Sequence, residues 1–193
     1  MDSVSYSVII PVYNSHESLL ELHERLVKVF TSLQESFEII MVDDGSLDRS
    51  WEVMLSLHKK DARVKVIQLM KNFGQNNALM CGLHSSFGER MIIMDDDLQH
   101  PPEEIVKLIK KMNEGYDVVY GKYLTKKHVW YRNLASTLVY GTFSNLIGLK
   151  SKVTAFKIMD KKVVHEIIKF KSQNPHIDIY IARVLSRQRI SSV

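Results

Sequence analysis

Three consecutive acids, Asp95-Asp96-Asp97, follow the apolar run ending at Met94 and precede Leu98-Gln99-His100-Pro101-Pro102. Adjacent carboxylates repel one another, and a hard divalent cation relieves that repulsion. Side chains of extended backbone alternate in direction, so Asp95 and Asp97 are expected to converge while Asp96 points elsewhere. Two carboxylates and a few waters suit Mg²⁺ or Mn²⁺, ions that complete their shell with substrate phosphate oxygens. The implied substrate carries a diphosphate. The bland alternative is a solvated acidic turn.

Two other segments place polar groups after apolar strands. Val42-Asp43-Asp44-Gly45-Ser46 joins acids to a glycine and a candidate helix cap at Ser46. Such a turn needs no ligand, yet a carboxylate there can also accept hydrogen bonds from a ribose or a base. Pro11-Val12-Tyr13-Asn14 sets an aromatic ring and an amide after the first strand. The ring can pack on a nucleobase, although proline and asparagine end strands in many settings.

The elements that must position these residues are read from periodicity. Tyr6 to Val12, Phe37 to Val42, Val64 to Leu69, Met91 to Met94 and Tyr116 to Tyr120 read as short buried strands. Leu19, Leu22, Leu26, Phe30 and Leu33 recur at helical spacing, and Trp51, Leu55 and His58 suggest a second helix. Pro101-Pro102-Glu103-Glu104 suits the first turn of a helix carrying Ile105, Leu108, Ile109 and Met112. The fold class is therefore α/β: an open, mostly parallel sheet with helices on both faces and ligands beyond the strand carboxyl ends. After about Lys122 the chain turns basic and aromatic through Lys126, Lys127, Trp130, Tyr131 and Arg132, then reads as a helix with Leu134, Leu138, Phe143 and Leu146.

At 193 residues, 45% hydrophobic and 25% charged, the chain reads as one domain, 1–193, with a nucleotide-binding half over 1–122 and a differently organised half over 123–193. The net charge of +4 chooses no partner. The basic residues are dispersed and form no nucleic-acid recognition module, so no nucleic-acid partner is expected. A single cysteine, Cys81, excludes an internal disulfide and reads as a buried structural thiol. The start lacks a secretory signal, and no run approaches the roughly 20 apolar residues of a spanning helix, so a cytoplasmic location is expected. His23 and His58 read as helix-surface residues, and His100 as either a solvated first-turn residue or a catalytic one. Oligomeric state is not legible.

Together these segments resemble glycosyltransferase family 2, whose members have the GT-A fold and combine a strand-end Pro-x-Tyr-Asn, a Val-Asp-Asp-Gly-Ser and an Asp-x-Asp. Lys71-Asn72-Phe73-Gly74-Gln75, Met94 through Glu103, and Ala155-Phe156-Lys157-Ile158-Met159-Asp160 are similar to the polyprenyl-phosphate branch of that family. The resemblance implies a metal-dependent, inverting transfer from a nucleotide-sugar, UDP- or GDP-linked. It makes Asp95, Asp97 and Gln99 metal ligands, with Asp97 and Asp96 at the reacting centre. The donor set it implies is Pro11, Val12, Tyr13, Asn14, Val42, Asp43, Asp44, Asn72, Lys122, Arg132 and Lys157. Lys122 and Lys157 stand where the family usually has arginine, which keeps the charge and loses the bidentate fork.

A lipid-phosphate acceptor is already anionic and needs no general base, whereas a saccharide hydroxyl, as in capsule or lipopolysaccharide assembly, needs one. Membrane helices usually follow the catalytic domain in this branch, while this chain stops at Val193. A longer protein cut short would work at the inner face of the membrane, with Lys126, Lys127, Trp130 and Tyr131 facing the lipid. A soluble relative is the other expectation, and a catalytically silent nucleotide-binding domain is a third. Pro175 to Tyr180 is expected to cover the acceptor pocket.

Overall fold

The computed structural model describes residues 4–122 and 154–193, and Lys126, Lys127, Trp130, Tyr131, Arg132 and the helix expected beyond them lie outside this range. The chain opens as β1 (Tyr6–Val12), α1 (Leu19–Leu33), β2 (Phe37–Asp43), α2 (Ser50–Lys60), β3 (Val64–Gln68), α3 (Gln75–His84) and β4 (Arg90–Ile93). A 3-10 turn (Pro102–Glu104) leads into α4 (Ile105–Met112) and β5 (Val118–Tyr120). Residues 154–193 add β6 (Lys157–Asp160), α5 (Lys161–Ile167), α6 (Ile177–Val184), a 3-10 turn (Arg187–Arg189) and β7 (Ile190–Ser192).

The strands form one sheet in the order β3-β2-β1-β4-β6-β5-β7. β1 pairs parallel with β2 and β4, β2 with β3, and β5 with β7, while among the described residues only β6 runs antiparallel, between β4 and β5. Helices cover both faces because each strand alternates two apolar faces. Val8, Ile10 and Val12 of β1 join α1, α2 and α4 in one core, whereas Ile9 joins α3, α5 and α6 in the other. The strand Tyr6–Val12 is buried at every position, which is why it reads as a continuous apolar run.

Several local expectations change. Ser46 does not cap the second helix: α2 begins at Ser50, and Asp48 Oδ1 takes the Ser50 amide at 2.9 Å. Ser46 instead ties two loops together, as described below. Cys81 is only half-buried, and burial raises its thiol pKa. His100 is not solvated; it is 4% exposed and stacks on Phe156 with ring centroids 5.0 Å apart. His23 is partly buried and bonds Asp61 at 2.9 Å. Among the described residues no helix is long and apolar enough to cross a membrane.

Candidate functional site: the carboxyl edge of the sheet

The parallel strands β1, β2 and β4 end side by side, so the segments after Val12, Asp43 and Ile93 share one edge of the sheet. Backbone hydrogen bonds extend this alignment, with the Asp44 amide donating to Val12 O at 2.9 Å and the Met94 amide to Ile9 O at 3.2 Å. The loops are then tied by side chains. The Asn14 amide donates to Ser46 Oγ at 3.0 Å, and Asn14 Oδ1 accepts from the Leu47 amide at 2.8 Å. Asn14 has φ 54, a left-handed conformation that asparagine tolerates well.

Asp43 and Asp44 are buried and already engaged by protein donors. Asp43 accepts from the Ser46 amide at 3.0 Å and Gln68 Nε2 at 3.1 Å. Asp44 accepts from the amides of Phe73 and Gly74 at 2.7 and 2.9 Å, holding the Lys71–Gly74 loop against the turn after β2. Gly45 makes this approach possible: a Cβ there would stand 2.7 Å from the Asn72 nitrogen, and its φ of 73 favours glycine. Asn72 is brought to the edge by that contact.

The three acids face different partners. Asp95 Oδ1 accepts from Gln75 Nε2, on the first residue of α3, at 2.7 Å. Asp96 Oδ2 takes the Tyr13 amide at 3.2 Å, and Asp97 Oδ1 takes the Gln99 amide at 3.0 Å. Burial, then Asp97, then Asp96 push the Asp95 carboxyl up to about 6, with Lys157 and Gln75 opposing. Asp97 therefore repels Asp95 more strongly than does the adjacent Asp96, which turns toward β1. Burial also raises Asp96. Asp97 and Gln99 are exposed. Leu98 between them sits at φ 59, a conformation uncommon for an apolar L-residue.

The other candidates differ in what they present. Tyr13 is 46% exposed at the edge, whereas Pro11 is buried and Val12 and Val42 are fully buried, so the two valines support the edge from beneath. Lys122 is exposed after β5. Lys157 is buried at the start of β6, paired in register with Ile93 and Tyr120, which places it at the same edge as Asp95. Arg132 lies outside the described residues.

Residues to which the motifs gave no role, or a different one, also serve this edge. Gln75 and Ser46 hold its loops, and Asp178 of α6 binds the Lys157 ammonium. Gln75 ends a quoted motif and could have been read from it. Asp178, far along the chain in a segment read only as a cover, gave no signal.

Oxygen donors from Asp95 and Asp97, under mutual repulsion and half-open to solvent, fit a hard divalent cation. Among the described residues no three His, Cys, Asp or Glu side chains gather as a complete cage, so further ligands would come from Gln99, water and substrate. A cavity of about 490 Å³ between α3 and the Phe170–Pro175 segment has none of the acids in its lining.

Residues 7–173 match the model of glycosyl transferase family 2. The chain is 40% identical over 143 residues to the undecaprenyl-phosphate 4-deoxy-4-formamido-L-arabinose transferase of Edwardsiella ictaluri, covering 74% of this chain and 44% of that protein. It is 33% identical over 177 residues to the uncharacterized glycosyltransferase YkcC of Bacillus subtilis, covering 90% of this chain and 55% of that one. The chain thus spans about half the length of the curated relatives it matches. Its fold is shared with S. aureus TarS in complex with UDP-GlcNAc, at TM-score 0.68 and 21% identity over 98% of this chain and 56% of that one. Glucosyl-3-phosphoglycerate synthase from Mycobacterium tuberculosis, crystallised with Mn²⁺, UDP and phosphoglyceric acid, aligns at TM-score 0.68 and 15% identity over 98% and 68%.

Proposed function

Because this chain belongs to glycosyl transferase family 2, we propose that it transfers a sugar from a nucleoside diphosphate donor to a polyprenyl phosphate, with inversion at the anomeric carbon. One observation carries this reading: the Tyr13 amide bonds Asp96, so the segment after β1 and the acid cluster after β4 form one continuous edge. Relatives named as undecaprenyl-phosphate transferases support the acceptor class, and neighbours crystallised with UDP or UDP-GlcNAc support the donor class.

In this reading the Tyr13 ring packs against the base. The loops after β2 and β3, held by Asp43, Asp44 and the Asn72 segment, shape the wall on which the nucleoside lies. Asp95, Asp97 and Gln99 would hold Mg²⁺ or Mn²⁺, which supplies Lewis-acid stabilisation of the departing diphosphate. Lys157 and Lys122, with Arg132 as the arginine the family resemblance assigns, supply positive charge for the negative charge that develops as the anomeric C–O bond breaks, an interaction worth more in the transition state than in the ground state. A phosphate acceptor attacks the opposite face of the sugar as an anion, so no protein group need accept a proton. The acid cluster also disfavours anions that arrive without a compensating cation.

The test is thermal unfolding with UDP, GDP, CMP and dTDP, each with and without Mn²⁺. A nucleotide present at ~100 times its dissociation constant adds about 2.7 kcal/mol to the folded state, which moves the midpoint by several degrees. A metal-dependent rise with one nucleotide supports the donor site and selects the base for labelled sugar donors. No rise with any of the four at millimolar concentration removes the donor reading.

A further inference from the structure

Lys157 is 3% exposed, and an ammonium buried to that degree needs hydrogen-bonding partners of opposite charge within the protein. The partner comes from a distant part of the sequence. Lys157 Nζ donates to Asp178 Oδ1, on the first turn of α6. The Tyr120 hydroxyl donates to the same oxygen at 2.9 Å, and Lys157 Nζ lies 5.0 Å from the centroid of the Tyr120 ring. Burial and the facing carboxylate raise the Tyr120 phenol well above its ordinary range, which keeps the phenol a donor. Three side chains from β5, β6 and α6 therefore close on one another where β6 meets the end of β4. The Lys157 charge is also felt by Asp95, whose carboxylate it favours.

We propose that Asp178 is a positioning residue of the donor site: anchored by the Tyr120 hydroxyl, it holds the Lys157 ammonium in place at the acid cluster, where that ammonium takes a phosphate of the nucleoside diphosphate. The proposal rests on the donor reading above. Without the Asp178 carboxylate, the Lys157 side chain loses the group that aims it and turns to Asp95, and it is then lost to the ligand. A merely neutralising carboxylate would act in the opposite sense, because it competes with the diphosphate for Lys157 and its removal tightens binding.

The experiment is calorimetric titration of UDP and GDP, each with Mn²⁺, into the wild type, Lys157→Ala, Asp178→Asn, Asp178→Glu, Tyr120→Phe and the double variant Lys157→Ala/Asp178→Asn. For the nucleotide that the wild type binds, Asp178→Asn weakens affinity about tenfold, the scale of one charge-assisted hydrogen bond. The double variant binds no more weakly than Lys157→Ala, and Asp178→Glu recovers part of the loss, since the two groups act as a unit. Should Asp178→Asn fail to fold, Tyr120→Phe carries the test with a smaller loss, because it removes one hydroxyl and no charge. Unchanged or tighter binding by the Asp178 variant, or losses that add in the double variant, overturns the proposal. So does a Lys157→Ala protein that binds as the wild type does, while the donor reading stands. A wild type that binds neither nucleotide ends the donor reading, and this proposal with it.

Discussion

The two edges of the same sheet treat charge in opposite ways. At the amino edge, Glu38 accepts from Ser7 Oγ at 2.6 Å, the Phe87 amide at 2.7 Å and Lys65 Nζ at 2.5 Å. Asp117, before β5, is held by Arg189 through two bonds of 2.6 Å and by Lys162 at 2.7 Å. Asp61, before β3, binds Arg63 and His23. All three carboxyls are held below their ordinary range, each against an opposing effect of burial. At the carboxyl edge three acids crowd together, and burial with mutual repulsion pushes Asp95 the other way. One edge is satisfied by the protein alone, while the other keeps acids under mutual repulsion, which in the proposed donor reading a cation and its ligand relieve.

The sharpest way to break this contrast is to remove one charge from each edge. Asp97→Ala should lower sugar transfer by about 10²-fold or more while leaving the unfolding midpoint almost unchanged, because Asp97 is exposed and its bond to the Gln99 amide is local. Glu38→Ala should do the reverse. It leaves the Ser7 hydroxyl and the Phe87 amide without their shared acceptor, costing about 2 kcal/mol of stability with nucleotide affinity unchanged, as denaturant unfolding and calorimetry would report. Wild-type turnover in Asp97→Ala would remove that acid from the site, and a nucleotide defect in Glu38→Ala would dissolve the separation of edges.

Packing offers a somewhat smaller probe. A Cβ on Gly121 would stand 2.3 Å from Phe156 Cδ1, and the Phe156 ring stacks on His100 and precedes Lys157 in the chain. Gly121→Ala should therefore cost about 1–2 kcal/mol and weaken nucleotide binding as well. Loss of stability alone would show that displacement of Phe156 does not reach Lys157.

What the sequence revealed follows the same division. β1 and β2 were legible because burial at every position leaves a nearly continuous apolar run, and β3 and β4 because each keeps a short apolar stretch, with boundaries off by no more than one residue at either end. The acids were legible because they sit next to each other in the chain. The α3 helix was not, because Asn76, Asn77 and Gly82 are poor helix formers and its apolar residues form one short block. Nor were β6, α5, α6 and β7, since β6 is a four-residue strand inserted antiparallel between β4 and β5, a pairing that no local pattern encodes. The partnership of Lys157 with Asp178 depends on that insertion and on the docking of α6. Ser46 was misread for a related reason: its hydroxyl looks like a helix cap until the loop after β1 arrives to use it.

Acid titration should separate the edges by sign. Glu38, Asp61 and Asp117 have lowered folded pKa values, so their stabilisation is present above about pH 4 and is lost as pH falls through those lower values. Asp95 is raised to about 6, so in metal-free protein its contribution runs the other way, falling as pH rises from about 4 to about 6. A cation that binds the charged form must displace that proton. The Mn²⁺-induced rise in unfolding midpoint should accordingly be larger at pH 7.5 than at pH 5. Equal rises at the two values would mean that Asp95 is not among the groups the ion meets.

The gentlest comparison uses backbone rather than charge. Gln34 and Leu98 both occupy left-handed conformations, with φ 55 and φ 59, and they lie at opposite edges. Gln34 ends α1, where its amide donates to Thr31 O at 3.2 Å, and glycine is the residue this position favours. Gln34→Gly should raise stability by about 0.5 kcal/mol, the relief of strain partly offset by the greater freedom of glycine in the unfolded chain. Nucleotide affinity should not move. Leu98→Gly relieves the same strain, but it also removes a side chain that packs on the core beneath the acids and loosens the turn that separates Asp97 from Gln99. Its gain in backbone comfort should therefore appear as weaker metal-dependent nucleotide binding, measurable by the same titration. If both substitutions merely stabilise, the strain at Leu98 serves no purpose at the site; if only Gln34→Gly does, the strain is part of how the acids are aimed.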